Sequence, residues 1–104
     1  MGFYLNLHEI VKTIGRPIKG NGFAELMSEV KSGEALVGQF QRPMFKNTVV
    51  LYNENEFQEF ANMVGIQCIL LGYYAIPVDK MQGYLDYGPE ELKTLMKKCG
   101  TWKE

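Results

Sequence analysis

The chain has 104 residues, with 11 Lys and Arg against 12 Asp and Glu, and a formal net charge of −1 at pH 7. This length predicts one compact domain and excludes two independent cores, while a composition that is 46% hydrophobic and 22% charged excludes intrinsic disorder. Because there is no overall basic excess, we do not expect duplex nucleic acid as a partner.

The first part of the chain predicts a short strand or an extended arm at Gly2–Leu5, followed by a helix that ends near Ile14. Asn6 lies three residues before Glu9, as in a capping box, and apolar residues follow at helical spacing. A second helix is predicted from Phe23 to Val30 by the same pattern.

The middle of the chain predicts a hairpin and a third helix. Strand-forming runs at Glu34–Gln41 and Thr48–Tyr52 flank a somewhat long connection that contains Arg42 and Pro43. After Asn53, a Phe-rich stripe at helical spacing predicts a helix that Gly65 ends.

The last part begins with a continuous apolar run from Ile66 to Ile76, which predicts a central strand covered on both faces and closed by Pro77. A structured loop at Val78–Gly88 and a final helix from Pro89 to Cys99 follow. The whole order predicts a single α+β domain over residues 1–104, with a three- to four-stranded, mainly antiparallel sheet packed with about four short helices.

Catalytic chemistry is not predicted. The one histidine, His8, lies at the start of a predicted helix, no GxSxG nucleophile motif is present, and Cys68 lies in the most apolar run. Glu56 and Glu59 are expected to face water opposite the apolar stripe of their helix. No closely spaced cysteine pair suggests a metal, so we predict no catalytic residue, metal site or cofactor.

Two basic segments predict an anion site. Arg16 and Lys19, with Asn21 and Gly22, come directly before a predicted helix, where backbone amides and the helix dipole favour anions. The alternative is a structural turn in which Asn21 caps that helix. The hairpin connection adds cations beside an aromatic ring, a combination that stacks on a base and pairs with phosphate: Arg42, Phe45 and Lys46.

A second candidate surface is aromatic. Tyr and Trp are enriched in interface cores, and they are dense toward the end of this chain: Tyr73, Tyr84, Tyr87 and Trp102. The alternative is that several of these side chains complete the core. Because a chain of this length buries a limited part of its surface, we also expect a homo-oligomer.

These observations predict a small, soluble, cytoplasmic, non-enzymatic binding protein that self-associates and makes no membrane contact. It would hold an anionic, nucleotide- or phosphate-like small ligand at the basic Gly-rich turn, with help from the hairpin tip. The alternative is a protein–protein interaction module or inhibitor, which would act on a protein partner through the Tyr-rich loop and the C-terminal helix.

Overall fold

The computed structural model describes residues 3–5, 8–43, 45–50 and 54–81 of the chain. The strands and helices of these ranges follow in chain order: β1 (Phe3–Leu5), α1 (His8–Ile14), β2 (Arg16–Ile18), α2 (Phe23–Glu29), β3 (Glu34–Arg42), β4 (Phe45–Val50), α3 (Glu54–Met63), β5 (Ile69–Pro77) and α4 (Val78–Met81).

The strands of the described ranges form one five-stranded sheet in the order β1-β4-β3-β5-β2, and every neighbouring pair is antiparallel. The small α+β fold with a mainly antiparallel sheet is thus confirmed, but the sheet has more strands than the three or four predicted. The additional strand is β2, which is only three residues long and contains Pro17. Proline lacks an N–H donor, and β2 tolerates it because it lies at the edge of the sheet.

One face of the sheet packs against side chains from α2 and α3. Phe57 and Phe60 lie one helical turn apart on α3 and are 6% and 4% exposed, so the predicted apolar stripe faces the core. Burial of each such ring stabilises the fold by about 1.5–3 kcal/mol. The buried cluster on this face comprises Ile18, Leu26, Val30, Leu36, Phe40, Phe57, Phe60, Cys68 and Ala75.

The opposite face is also covered, because the alternate residues of β3 are buried too. Ala35, Val37 and Gln39 have no exposed surface, and Gln39 pairs in register with Thr48 of β4, which is equally buried. Val11 of α1 is 1% exposed. The strand with both faces covered is therefore β3.

The prediction of a central strand from Ile66 to Ile76 is correct only in part. Residues 65–67 form a turn, and β5 begins at Ile69 with side chains that are 66% exposed at Ile69 and 40% exposed at Leu71. β2 is short and pairs only with Tyr73–Ala75, so among the described strands the first half of β5 pairs with β3 alone.

Other boundaries also differ from the prediction. The strands of the hairpin extend to Arg42 and resume at Phe45, so the connection is shorter than predicted. Gly65 follows α3 with a φ of 87°, which confirms it as the residue that ends this helix. Val78–Met81 is helical rather than a loop, and the predicted final helix lies outside the described residues.

None of the helices in the described ranges has the length and apolar content that a membrane crossing requires.

Candidate functional site

The basic turn before α2 binds the protein's own acidic side chains. The Arg16 guanidinium donates from Nη2 to the Glu29 carbonyl oxygen at 2.7 Å and to Glu34 Oε1 at 2.7 Å. These contacts join the edge strand β2 to the end of α2 and the start of β3. Arg16 is thus part of the framework of the domain.

The backbone amides of the same turn also bind carboxylates. Lys19 N–H donates to Glu29 Oε2 at 3.1 Å, and Asn21 N–H donates to Glu25 Oε2 at 2.9 Å. Gly22 is the N-cap of α2 with extended backbone, and no side chain caps the helix there, so the predicted cap by Asn21 is wrong. Glu25 instead reaches back from the first turn, as the acidic member of a capping box does.

The residue types of this turn therefore suit anions, as predicted, but Glu25, Glu29 and Glu34 already lie against its donors. An external anion would have to displace at least one of these carboxylates.

Glu34 has a pKa below its usual value near 4.5. Burial disfavours its ionised form, but the hydrogen bond from Arg16, the backbone N–H of Lys31 and the positive charges of both residues outweigh that effect. The folded state therefore favours the Glu34 carboxylate.

Replacement of this carboxylate should make the stability less dependent on pH. Because the pKa of Glu34 is lower in the folded state, its charge stabilises the fold above pH 4.5 and this contribution is lost as the pH falls through the folded-state pKa. We expect Glu34→Gln to cost about 1 kcal/mol at pH 7 and almost nothing at strongly acid pH. Urea unfolding of both proteins across this range measures the difference, with Glu59→Gln on the exposed side of α3 as the matched control. A cost that stays constant with pH would contradict the role of the charge.

Arg16 and Arg42 do not line one pocket. Arg16 lies opposite Ala75, whose partner on the other side is Leu36, whereas Arg42 lies at the far end of β3. From Leu36 to Arg42 the strand advances about 20 Å at roughly 3.3 Å per residue. The two basic segments are therefore separate, and the Arg42 segment adjoins a cavity.

That cavity lies where the β3–β4 hairpin meets the turn before β5, and we call it the hairpin-end cavity. Its volume is about 310 Å³. Two of its apolar side chains, Ile66 and Ile69, are 83% and 66% exposed. Its described lining consists of Gln41, Arg42, Pro43, Gly65, Ile66, Gln67, Cys68 and Ile69.

Arg42 provides the positive charge of this lining. Its guanidinium carbon lies 6.0 Å from the centre of the Phe40 ring, and Phe40 is itself 1% exposed. A guanidinium over a buried ring is held by a cation–π contact, so the cation has a defined position at the cavity wall. By register, Phe45 lies opposite Arg42 and Lys46 opposite Gln41, so the backbone of all three predicted hairpin residues is at this end of the sheet.

Cys68 also lines the cavity, but its chemistry is that of a buried thiol. Burial raises its pKa, and the nearby positive charge of Arg42 offsets this only in part. The nucleophilic thiolate is therefore disfavoured at neutral pH. Cys68 belongs to the core cluster and is free.

The aromatic surface predicted from the sequence lies largely outside the described residues, since Tyr84, Tyr87 and Trp102 fall there. Tyr73 lies in the core, with its ring centre 5.6 Å from that of Phe57 and 6.4 Å from that of Phe60. Burial raises the pKa of its hydroxyl. For Tyr73 the structure agrees with the alternative that it completes the core, and the interaction role of the other three stays a prediction.

The cavity residues from Gly65 to Ile69 were not predicted, because the apolar pattern of Ile66–Ile76 indicates a strand. The sequence does contain a signal for this turn, because Gly65 and Gln67 flank Ile66 and interrupt the apolar pattern. An isoleucine in such a turn has no strand partner, and here its side chain is exposed.

Among the described residues, no group of three or more His, Cys, Asp or Glu side chains is placed to hold a metal ion. Comparison of the chain with protein-family models, with curated proteins and with solved structures found no match.

Proposed function

We propose that this protein is a non-enzymatic binding protein that holds a small anionic ligand with an apolar portion in the hairpin-end cavity. The observation that carries the proposal is that one cavity of about 310 Å³ combines the Arg42 guanidinium with the exposed side chains of Ile66 and Ile69. The cation would bind the anionic group, and the isoleucines would cover the apolar part.

The size of the cavity supports a small ligand. Pockets for small molecules and cofactors span roughly 300–1,000 Å³, and this one lies at the lower limit. It suits a single ring or a short acyl chain that bears a carboxylate, sulfonate or phosphate. A dinucleotide would require considerably more space.

The chemistry of Arg42 supports an anionic group. Its planar guanidinium carries several N–H donors, so it can keep its contact with Phe40 and still bind two oxygens of an anion. The Arg42 side chain is half-buried, so binding does not require a fully hydrated cation to be stripped of water. At the basic turn, the carboxylates of Glu29 and Glu34 would compete with a ligand.

Titration with hexanoate, followed by the amide signals of the protein in NMR spectra, tests the proposal. We expect saturable shifts at Gln41, Arg42 and Gly65–Ile69 with a dissociation constant near 1 mM or below, which corresponds to about 4 kcal/mol. Acetate lacks the apolar part and hexanamide lacks the charge, so each should bind at least several-fold more weakly.

Two arginine variants locate the site. We expect Arg42→Gln to weaken hexanoate binding about tenfold, which is about 1.4 kcal/mol, and Arg16→Gln to leave it unchanged. Equal binding of hexanoate and hexanamide would overturn the anionic ligand. Loss of binding in Arg16→Gln, with Arg42→Gln unaffected, would move the ligand to the basic turn and overturn the cavity.

A further inference from the structure

The first half of β5 is a partly open strand edge. β2 pairs with Tyr73–Ala75, whereas Ile69–Gly72 pairs with β3 on one side and with no described strand on the other. We call Ile69–Gly72 the open β5 segment. An unpaired strand edge presents backbone N–H and C=O groups that can pair with another strand.

Exposed apolar side chains concentrate at this edge. Among the residues that the structure describes, the exposed large hydrophobic side chains are Ile66, Ile69 and Leu71, at 83%, 66% and 40%. All of them lie within or just before the open β5 segment. Leu71 is the extra residue where the register with β3 shifts, because Gly72 lies opposite Gln39 and Leu70 opposite Phe40. Association with another protein chain would bury an apolar patch at such a strand edge.

The edge also lacks the charges that keep strand edges apart. Solvent-exposed edges in monomeric proteins are commonly protected by lysine or other charged side chains. From Ile66 to Pro77 the sequence contains no Asp, Glu, Lys or Arg. The absence of charge favours a second copy of this segment as the partner, because no charged side chain repels its own copy near the two-fold axis.

We propose that the open β5 segment pairs antiparallel with the same segment of a second copy of this chain, which forms a two-fold symmetric dimer. Antiparallel pairing about a two-fold axis places the same residues on both sides, so the apolar side chains of one copy meet those of the other. β2 occupies the rest of the edge and restricts the pairing to Ile69–Gly72. The ladder is short, and we therefore expect a reversible, concentration-dependent dimer.

This inference does not depend on the proposed ligand. Ile69 lines the hairpin-end cavity as well, but Leu71 does not belong to the described lining. Variants at Leu71 therefore test dimerisation. Arg42→Gln tests ligand binding and should dimerise like the wild type.

Sedimentation velocity of the full chain from about 1 μM to about 300 μM measures the association, since a dimer shifts with concentration by mass action. We expect the wild-type chain to pass from monomer to dimer over this range, and Leu71→Lys and Leu71→Glu to stay monomeric. Circular dichroism should show both variants folded. The matched control Glu59→Lys, which changes charge on an exposed position of α3, should dimerise like the wild type.

Mixing the two Leu71 variants gives the sharpest test. If Leu71 lies near its counterpart across the two-fold axis, the lysine and glutamate attract and the mixture should recover at least tenfold in association over either variant alone. A dimer that Leu71→Lys leaves intact would overturn the proposal. A wild-type chain that stays monomeric throughout would also overturn it and would leave a strand of another protein as the occupant of this edge.

Discussion

Phe60→Ala is expected to lower the free energy of unfolding by about 3–5 kcal/mol. Phe60 is 4% exposed, and its ring packs edge-on against Phe40 at 5.7 Å and against Tyr73 at 6.4 Å between ring centres. Alanine would remove the buried ring, leave a cavity between α3 and the sheet, and abolish two aromatic contacts, each worth about 0.5–1.5 kcal/mol beyond burial. A domain of this size has a total stability of about 5–15 kcal/mol, so the loss is a large part of it.

Denaturant unfolding at 25 °C measures this effect from the shift of the midpoint at constant slope. Phe60→Leu keeps most of the volume and should cost about 1–2 kcal/mol, while Glu59→Ala, one position away on the exposed side of α3, should change the stability by no more than about 0.5 kcal/mol. A loss below about 1 kcal/mol for Phe60→Ala would show that α3 does not pack on the sheet as described.

The second large effect is expected for Gly38→Val, at about 2–3 kcal/mol. A β-carbon at position 38 would lie 3.0 Å from Cε1 and 3.3 Å from Cζ of Phe60, closer than carbon atoms normally approach. The ring of Phe60 has little room to shift, because the rings of Phe40 and Tyr73 pack against it. Valine favours strands intrinsically, and the expected loss therefore reports the steric contact rather than strand propensity.

A double-mutant cycle separates this contact from other effects of valine. In a Phe60→Ala background the space beside position 38 is empty, so Gly38→Val should cost much less there or even stabilise the protein. The coupling between the two positions should reach about 1–3 kcal/mol. The same cost of Gly38→Val in both backgrounds would contradict the close approach of Phe60 to β3.

The candidate site shows which contacts a local sequence pattern can predict and which it cannot. The donors of the basic turn bind carboxylates of the chain itself, and two of these lie far along the chain: Glu29 is 10 residues from Lys19 and Glu34 is 18 residues from Arg16. Composition at the turn contains no information about side chains so distant in sequence. The sequence pattern predicted the Arg42 side of the hairpin-end cavity. It did not predict the other wall, which is the turn that begins at Gly65.

Elements whose signals lie within a few residues could be predicted from the sequence. The end of α1 at Ile14 and the start of α2 at Phe23 follow from apolar spacing, and the turn at Gly65 follows from the positive φ that glycine adopts readily. The two long strands of the hairpin follow from β-forming runs of sufficient length.

Which strands are neighbours depends on contacts between segments that lie far apart in the chain. Arg16–Ile18 is too short to show a strand period, and it is a strand because Tyr73–Ala75, far along the chain, offers it an edge. Because β2 is so short, Ile69–Gly72 has no second partner among the described strands, and the register places Arg16 far from Arg42. Strand pairing depends on backbone groups that every residue carries, so its partners are selected by the packing of the whole domain and not by any short segment of sequence.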